Sequence, residues 1–429
     1  ATSAISTRRL NQPAMRRTER WIGAVGIASS PDFLANVGVI PVTVDRTGVN
    51  EPEDTALFEG QAYPVVIPLQ SSNNRTYIDV PPSATRLDVT VEGPIDSLAI
   101  QYLSFESVTA GPPDDPQPPG PGLTPPPSVA TGTESGGVWT ASVLPTSGSA
   151  IEPGRYFIAM DNDAQSEASV TVTADVTETQ GTPPQRGLWS PRDRLINQGI
   201  EYQVAGSNAF VTWYSYDEDG RAAFYISNSA PPQPDSSYFR QPLYRVTSNG
   251  LRQTVDVVGE IQVTALNETE LVFSWRLNGY HGSEIYSPDH GENCPEIDGE
   301  TRQLLGHWFP DGVREGGVTL LYTAVAEAWV RYYFDAVGEP RWVLASGVLG
   351  TIAPGGDIKV LEVLDFRGWC IYCDEVPVTS APVGTVQREF DGLESAREVL
   401  EFEIGPPINT NYTSDRELTR LSNVGSCPN

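Results

Sequence analysis

The chain has 429 residues, enough for two to four domains that each bury a core. Its formal charge of −28, with Lys359 the single lysine among 27 basic residues, excludes nucleic-acid binding through general phosphate attraction and favours cations or basic partners. Gly (39) and Pro (37), with many Thr, Val and Tyr and no amphipathic helix longer than two turns, predict an all-β protein: several antiparallel β-sandwich or barrel-like modules in tandem, behind an extended N-terminal arm.

Residues 1–50 form the arm. Arg8, Arg9, Arg16, Arg17 and Arg20 stand against Glu19, a balance of +4 that leaves −32 on the rest of the chain. The stretch Val37-Gly38-Val39-Ile40-Pro41-Val42-Thr43-Val44 is strand-like, but large apolar residues are too few for an independent core. The arm is expected to lie on another domain or on a neighbouring molecule, and the charge asymmetry points to head-to-tail docking between copies. The weakly charged run 21–44 is broken by Pro31-Asp32 and rich in Gly and Ser, so no membrane span is expected.

Residues 51–178 predict a first sandwich. Leu87, Val89 and Val91 alternate with polar neighbours, and the pattern returns in Ala168–Ala174. Tyr77-Ile78-Asp79-Val80-Pro81-Pro82-Ser83-Ala84-Thr85-Arg86-Leu87, then Gly93 and Pro153-Gly154-Arg155-Tyr156-Phe157-Ile158, resemble the bacterial pre-peptidase C-terminal (PPC) domain. That resemblance implies a small β-sandwich of the kind appended to exported proteases and other secreted enzymes. Where the family carries an acidic Asp-x-Asp-Leu-Tyr-like stretch, this chain has Ile95-Asp96-Ser97-Leu98-Ala99-Ile100, which withholds any inherited calcium role. A proline-rich insertion, 111–127, holds nine prolines in 17 residues and favours polyproline II.

Residues 179–298 and 299–429 are two copies of one β repeat. Gly187-Leu188-Trp189-Ser190-Pro191 matches Gly306-His307-Trp308-Phe309-Pro310, and the aromatic strand ending in Asp217-Glu218-Asp219-Gly220 matches the one ending in Asp335-Ala336-Val337-Gly338. In each, Asp caps a turn and Gly supplies the positive φ that closes a hairpin. The pattern resembles a duplicated Gly-x-Trp…Tyr-Asp-x-x-Gly…Trp module of exported proteobacterial proteins of unassigned function, a resemblance that implies no activity.

Four cysteines in so β-rich a chain suggest an oxidising compartment and two disulfides, for which Cys370–Cys373 and Cys294–Cys427 are the favoured pairs. A zinc site is the alternative, with one CxxC where a strong signature has two. With no leader visible at Ala1, a mature exported chain is expected, extracellular or on the cell surface.

Catalytic signatures are missing: no Gly-x-Ser-x-Gly, no His-Glu-x-x-His, no phosphate-binding loop and no subtilase Gly-Thr-Ser-Met-Ala. The metal candidates are His281, Glu284, His290 and Cys294 in one stretch, and Asp161 with Asp163, where calcium competes with a plain turn. Trp213, Trp329 and Trp342 are candidates for an exposed aromatic surface that stacks carbohydrate, against core packing of alternate rings. Together these features predict a non-catalytic, secreted structural or interaction protein without a cofactor, self-associating through its arm into a filament or surface layer. The alternatives are the C-terminal accessory region of an exported protease or other hydrolase, and a carbohydrate-binding module.

Overall fold

The computed structural model describes residues 20–27, 38–45, 55–108, 127–192, 198–289, 296–297, 300–301, 304–311, 316–322, 326–348, 358–371, 373, 376–391 and 394–423. Every regular element among them is a strand. The chain divides into two compact units, 1–52 and 53–429.

In the first unit β1 (Arg20–Ile27) and β2 (Gly38–Asp45) pair antiparallel, with Arg20 opposite Asp45 and Ile27 opposite Gly38. They form a two-stranded sheet of their own.

The second unit begins with a sandwich. Its strands are β3 (Thr55–Ala56), β4 (Tyr63–Ile67), β5 (Ser71–Val80), β6 (Ala84–Glu92), β7 (Ser97–Ser104), β8 (Ser128–Thr131), β9 (Thr133–Ser135), β10 (Val138–Val143), β11 (Gly154–Asn162) and β12 (Ala168–Glu178). They make two five-stranded sheets, β4-β12-β6-β10-β9 and β3-β5-β11-β7-β8. The alternating Leu87, Val89 and Val91 of one sheet meet Ile78, Val80 and Ile158 of the other in a common core.

Two closed eight-stranded barrels follow. The first comprises β13 (Gly187–Pro191), β14 (Gly199–Ala205), β15 (Asn208–Tyr216), β16 (Ala222–Ser227), β17 (Tyr238–Ser248), β18 (Gln253–Ala265), β19 (Leu271–Leu277) and β20 (Tyr280–Pro288). A short ribbon, β21 (Glu296–Ile297) with β22 (Glu300–Thr301), precedes the second. That barrel comprises β23 (Gly306–Pro310), β24 (Gly317–Tyr322), β25 (Ala326–Phe334), β26 (Pro340–Val348), β27 (Lys359–Arg367), β28 (Thr379–Phe390), β29 (Ser395–Ile404) and β30 (Thr410–Arg420).

In each barrel the last strand returns to pair with the first, so no edge is left open in either sheet. The repeat is therefore one barrel per copy, and the two hydrogen-bond registers correspond residue by residue. Gly199 opposite Tyr214 matches Gly317 opposite Tyr332, and Gly259 opposite Leu277 matches Gly384 opposite Phe402. Gly259 and Gly384 sit at the same β-bulge, where an added Cβ would strike the carbonyl oxygen of Arg276 or Glu401.

Candidate functional site: the polar centres at the joints

The seam between the barrels is built from the repeated turn. Asp217 Oδ1 accepts the backbone N–H groups of Asp219 and Arg221 at 3.0 and 2.9 Å, and Asp335 Oδ1 accepts those of Val337 and Glu339 at 3.0 and 2.9 Å. The turn glycines, Gly220 and Gly338, have φ of 73° and 87°. Each turn then docks on the other barrel. Gly368 N donates to Gly220 O at 3.0 Å, and Ser248 N donates to Gly338 O at 3.0 Å.

Gly368 and Ser248 lie five residues beyond the same bulge position in their repeats, so the two contacts are mates about a local two-fold axis. Ring contacts across the seam obey the same symmetry. Tyr214–Trp342 (6.2 Å) mirrors Phe224–Tyr332 (5.2 Å), and Tyr216–Trp342 (5.8 Å) mirrors Phe224–Phe334 (5.9 Å).

At the middle of this seam lies a buried polar cluster. Glu201 on β14 meets His307 on β23, with Oε2 to Nδ1 at 2.8 Å, and both side chains are shut off from solvent. Thr319 donates its hydroxyl to Glu201 Oε2, and the Tyr214 hydroxyl bonds Thr319 Oγ1 at 2.6 Å. His307 Nε2 bonds the Tyr332 hydroxyl. Burial pushes the phenols of Tyr214 and Tyr332 well above their usual range, and Glu201 adds to that in both, so each stays a hydroxyl that can donate. The cluster pairs an acid with an imidazole, as catalysis often does, but it is enclosed on all sides by the two barrels. Its hydrogen bonds join β14 and β15 of the first barrel to β23, β24 and β25 of the second.

A second joint fastens the sandwich to the first barrel. Arg155 makes a two-pronged contact with Asp79, at 2.9 and 3.1 Å, and lies 4.1 Å over the Tyr77 ring. Ser283 of β20 closes the set, accepting from Arg155 Nη2 at 2.5 Å and donating to Asp79 Oδ2 at 2.9 Å. Nearby, Arg276 of β19 stacks between Phe58 and Tyr63 of the sandwich, at 4.2 and 4.1 Å.

The residues singled out in the sequence fall as follows. His281 and Glu284 both lie on β20, which runs to Pro288, instead of on a loop. Three positions apart on a strand, they project from opposite faces: His281 outward, where Nε2 meets the Tyr63 hydroxyl at 2.6 Å, and Glu284 inward beside Phe273. The two side chains therefore do not converge on one point, and His290 and Cys294 lie outside the described residues.

Asp161 uses both carboxylate oxygens on Ser72 and Ser97, each at 2.5 Å, and Asp163 sits in an exposed turn, its N–H donating to Asp96 Oδ2 at 2.7 Å. Among the described residues no three His, Cys, Asp or Glu side chains converge as metal ligands. Trp213, Trp329 and Trp342 are 0%, 1% and 3% exposed, so they do not form an aromatic surface; the first two fill the barrels and the third fills the seam.

Cys370 and Cys373 are disulfide-bonded, with Cα atoms 5.0 Å apart, whereas Cys294 and Cys427 lie outside the described residues. So do Arg8, Arg9, Arg16 and Arg17 and positions 111–126 of the proline-rich insertion; of Arg20 the backbone alone is described, at the start of β1. No helix among the described residues is long and apolar enough to cross a membrane.

Sequence reasoning missed Glu201, His307, Asp79 and Arg155. One signal was available: His307 occupies the position of Leu188 in the sister repeat, a polar residue where the duplicated motif has an apolar one. Compared with protein-family models and with curated proteins, the chain matches none.

Proposed function

We propose that this chain is a non-catalytic interaction protein, exported to the extracellular space or cell surface, whose N-terminal arm docks on a further copy to build a filament or layer. The observation that carries this reading is the β1–β2 ribbon, which among the described residues pairs with no third strand. An isolated two-stranded hairpin is marginal in water. Its two outer edges present unpaired amides and carbonyls that a strand from another molecule satisfies.

Charge supports the same direction. The first 20 residues carry +4, and an arm with that charge is drawn to a body carrying −32. In the larger unit, acids and bases at the joints fasten one module to the next. The burial of Trp213, Trp329 and Trp342 weighs against the carbohydrate-binding alternative.

Removal of residues 1–52 tests the proposal. Chromatographic sizing and electron microscopy of residues 53–429 should show a monomer where the 429-residue chain assembles; an unchanged oligomeric state would sink the idea.

A further inference from the structure

The two barrels fill their middle layers differently. In the first, Trp213 packs against Tyr225, Phe273 and Trp275 at centroid distances of 5.7, 5.0 and 5.8 Å. The matching registers put Arg331, Val343, Glu398 and Leu400 at those positions in the second barrel. All four replacements are smaller, and two are charged. The layers on either side are aromatic in the second barrel, at positions where the first has Val211, Ala265, Ser215 and Leu277. Trp329 packs with Phe390 at 6.2 Å on one side, and Tyr333 packs with Phe402 and Tyr412 at 5.0 and 5.7 Å on the other.

Arg331 and Glu398 are 2% and 0% exposed, with Nη1 3.4 Å from Oε1. That contact is ionic without being a hydrogen bond. Among the described residues, nothing donates a hydrogen bond to either oxygen of Glu398, and Arg331 Nε and Nη1 find no hydrogen-bond acceptor. Arg331 Nη2 does reach an acceptor, the Tyr412 hydroxyl at 2.6 Å. The neighbouring charges are, by contrast, fully engaged. Glu327 accepts from Arg388 at 2.8 and 2.9 Å and from Lys359 at 2.8 Å.

Buried ionised groups normally have their hydrogen bonds satisfied, because leaving them unsatisfied is costly. An eight-stranded barrel is also wide enough to hold one small ligand. The complementary molecule must accept from a guanidinium and donate to a carboxylate a few ångströms away. We propose that the interior of the second barrel binds a small carboxylic acid bearing a hydroxyl or ammonium group on the adjacent carbon, its carboxylate on Arg331 and its donor on Glu398. This inference is independent of how the arm assembles.

Calorimetric titration of the full chain with glycine and with glycolate tests it, with acetate as the probe that lacks the donor. At least one of the first two should bind saturably and about tenfold or more tighter than acetate, a preference of the size that one well-placed hydrogen bond supplies. The double variant Arg331→Trp/Glu398→Phe restores the pair found in the first barrel; it should keep the circular dichroism of the parent and lose binding. Should that variant fail to fold, Glu398→Gln decides, because it keeps the size of the side chain and should abolish the preference over acetate. Three results would each overturn the site: no saturable binding of either probe, an undiminished preference in Glu398→Gln, or a crystal soaked with glycine that shows water alone between Arg331 and Glu398.

Discussion

Arg341 Nη1 donates to Asp217 Oδ2 at 2.6 Å across the seam between the barrels, while its Nε donates to Asp335 Oδ2 at 3.0 Å within its own barrel. One guanidinium thus holds the capping aspartates of both repeat turns. Burial works against its charge, but Asp217 and Asp335 outweigh burial and raise its pKa above the usual arginine value. The first repeat has Ala223 at the matching position, so this bridge is one-sided in an otherwise two-fold seam.

Arg341→Met should therefore destabilise the protein strongly. It leaves the Asp335 carboxylate, with 1% of its side chain exposed, without its cation. Loss of one partner from a buried pair costs roughly 3–5 kcal/mol. Asp217→Asn should cost less, since Asp217 is 29% exposed and its amide replacement still caps the turn. Urea unfolding of both variants checks the order; equal costs would mean that Arg341 matters through its packing.

Gly220→Ala and Gly338→Ala should each cost more than an ordinary turn substitution. A Cβ at Gly220 would lie 2.5 Å from Gly368 O, and one at Gly338 would lie 2.0 Å from Ser248 O, both across the seam. Gly279 is the control, with φ of +88° and nothing within 4 Å of an added Cβ. Gly279→Ala should show the backbone strain alone, about 1 kcal/mol. The seam glycines should exceed that value in chemical denaturation. Equal losses at all three would mean that the turns do not dock.

Asp365 gives a pH dependence with a definite sign. Burial raises its carboxyl pKa, and Arg367 pulls it back incompletely. A raised pKa in the folded state means that folding favours the protonated form, so this group's contribution to stability falls as pH rises from the ordinary carboxylate value through the raised one. Asp365→Asn should therefore be more stable than the parent at neutral pH, with the gain shrinking as pH falls toward about 4. Denaturant titrations across that range measure it. A loss of stability at neutral pH would mean that the Arg367 contact dominates.

The Cys370–Cys373 bridge closes a loop of sequence separation 3, so it removes little freedom from the unfolded chain. Replacing both cysteines with serine should cost about 2 kcal/mol or less by the loop-entropy relation. Thermal unfolding with and without reductant provides the comparison.

The fold class and the duplication were legible because they rest on local patterns. Alternation marked the sandwich strands around Leu87, and Asp217–Gly220 and Asp335–Gly338 carried their own turn chemistry. Barrel closure was not legible, since alternation is the same in an open sheet and a closed one. Nor were the joints. Glu201 and His307 are 106 positions apart, and Asp79 and Ser283 are 204 apart, distances over which a single sequence gives no pairing signal. The tryptophans were ambiguous for a related reason: Trp213 and Trp342 lie on the two neighbouring strands of the repeated hairpin, one in each copy, yet one faces a barrel interior and the other the seam. The exchange of Trp213 for Arg331 was visible between the copies, and its meaning came when Phe273 proved to be exchanged for Glu398 beside it.

The most direct measurement is sedimentation velocity of the 429-residue chain over a range of protein concentration, beside residues 53–429 under the same conditions. The arm-docking account predicts that the full chain grows to larger species as concentration rises, that the truncated chain stays monomeric throughout, and that added salt shifts the full chain back toward monomer. A full chain that sediments as a monomer at every concentration, or a truncated chain that assembles as the parent does, would contradict it.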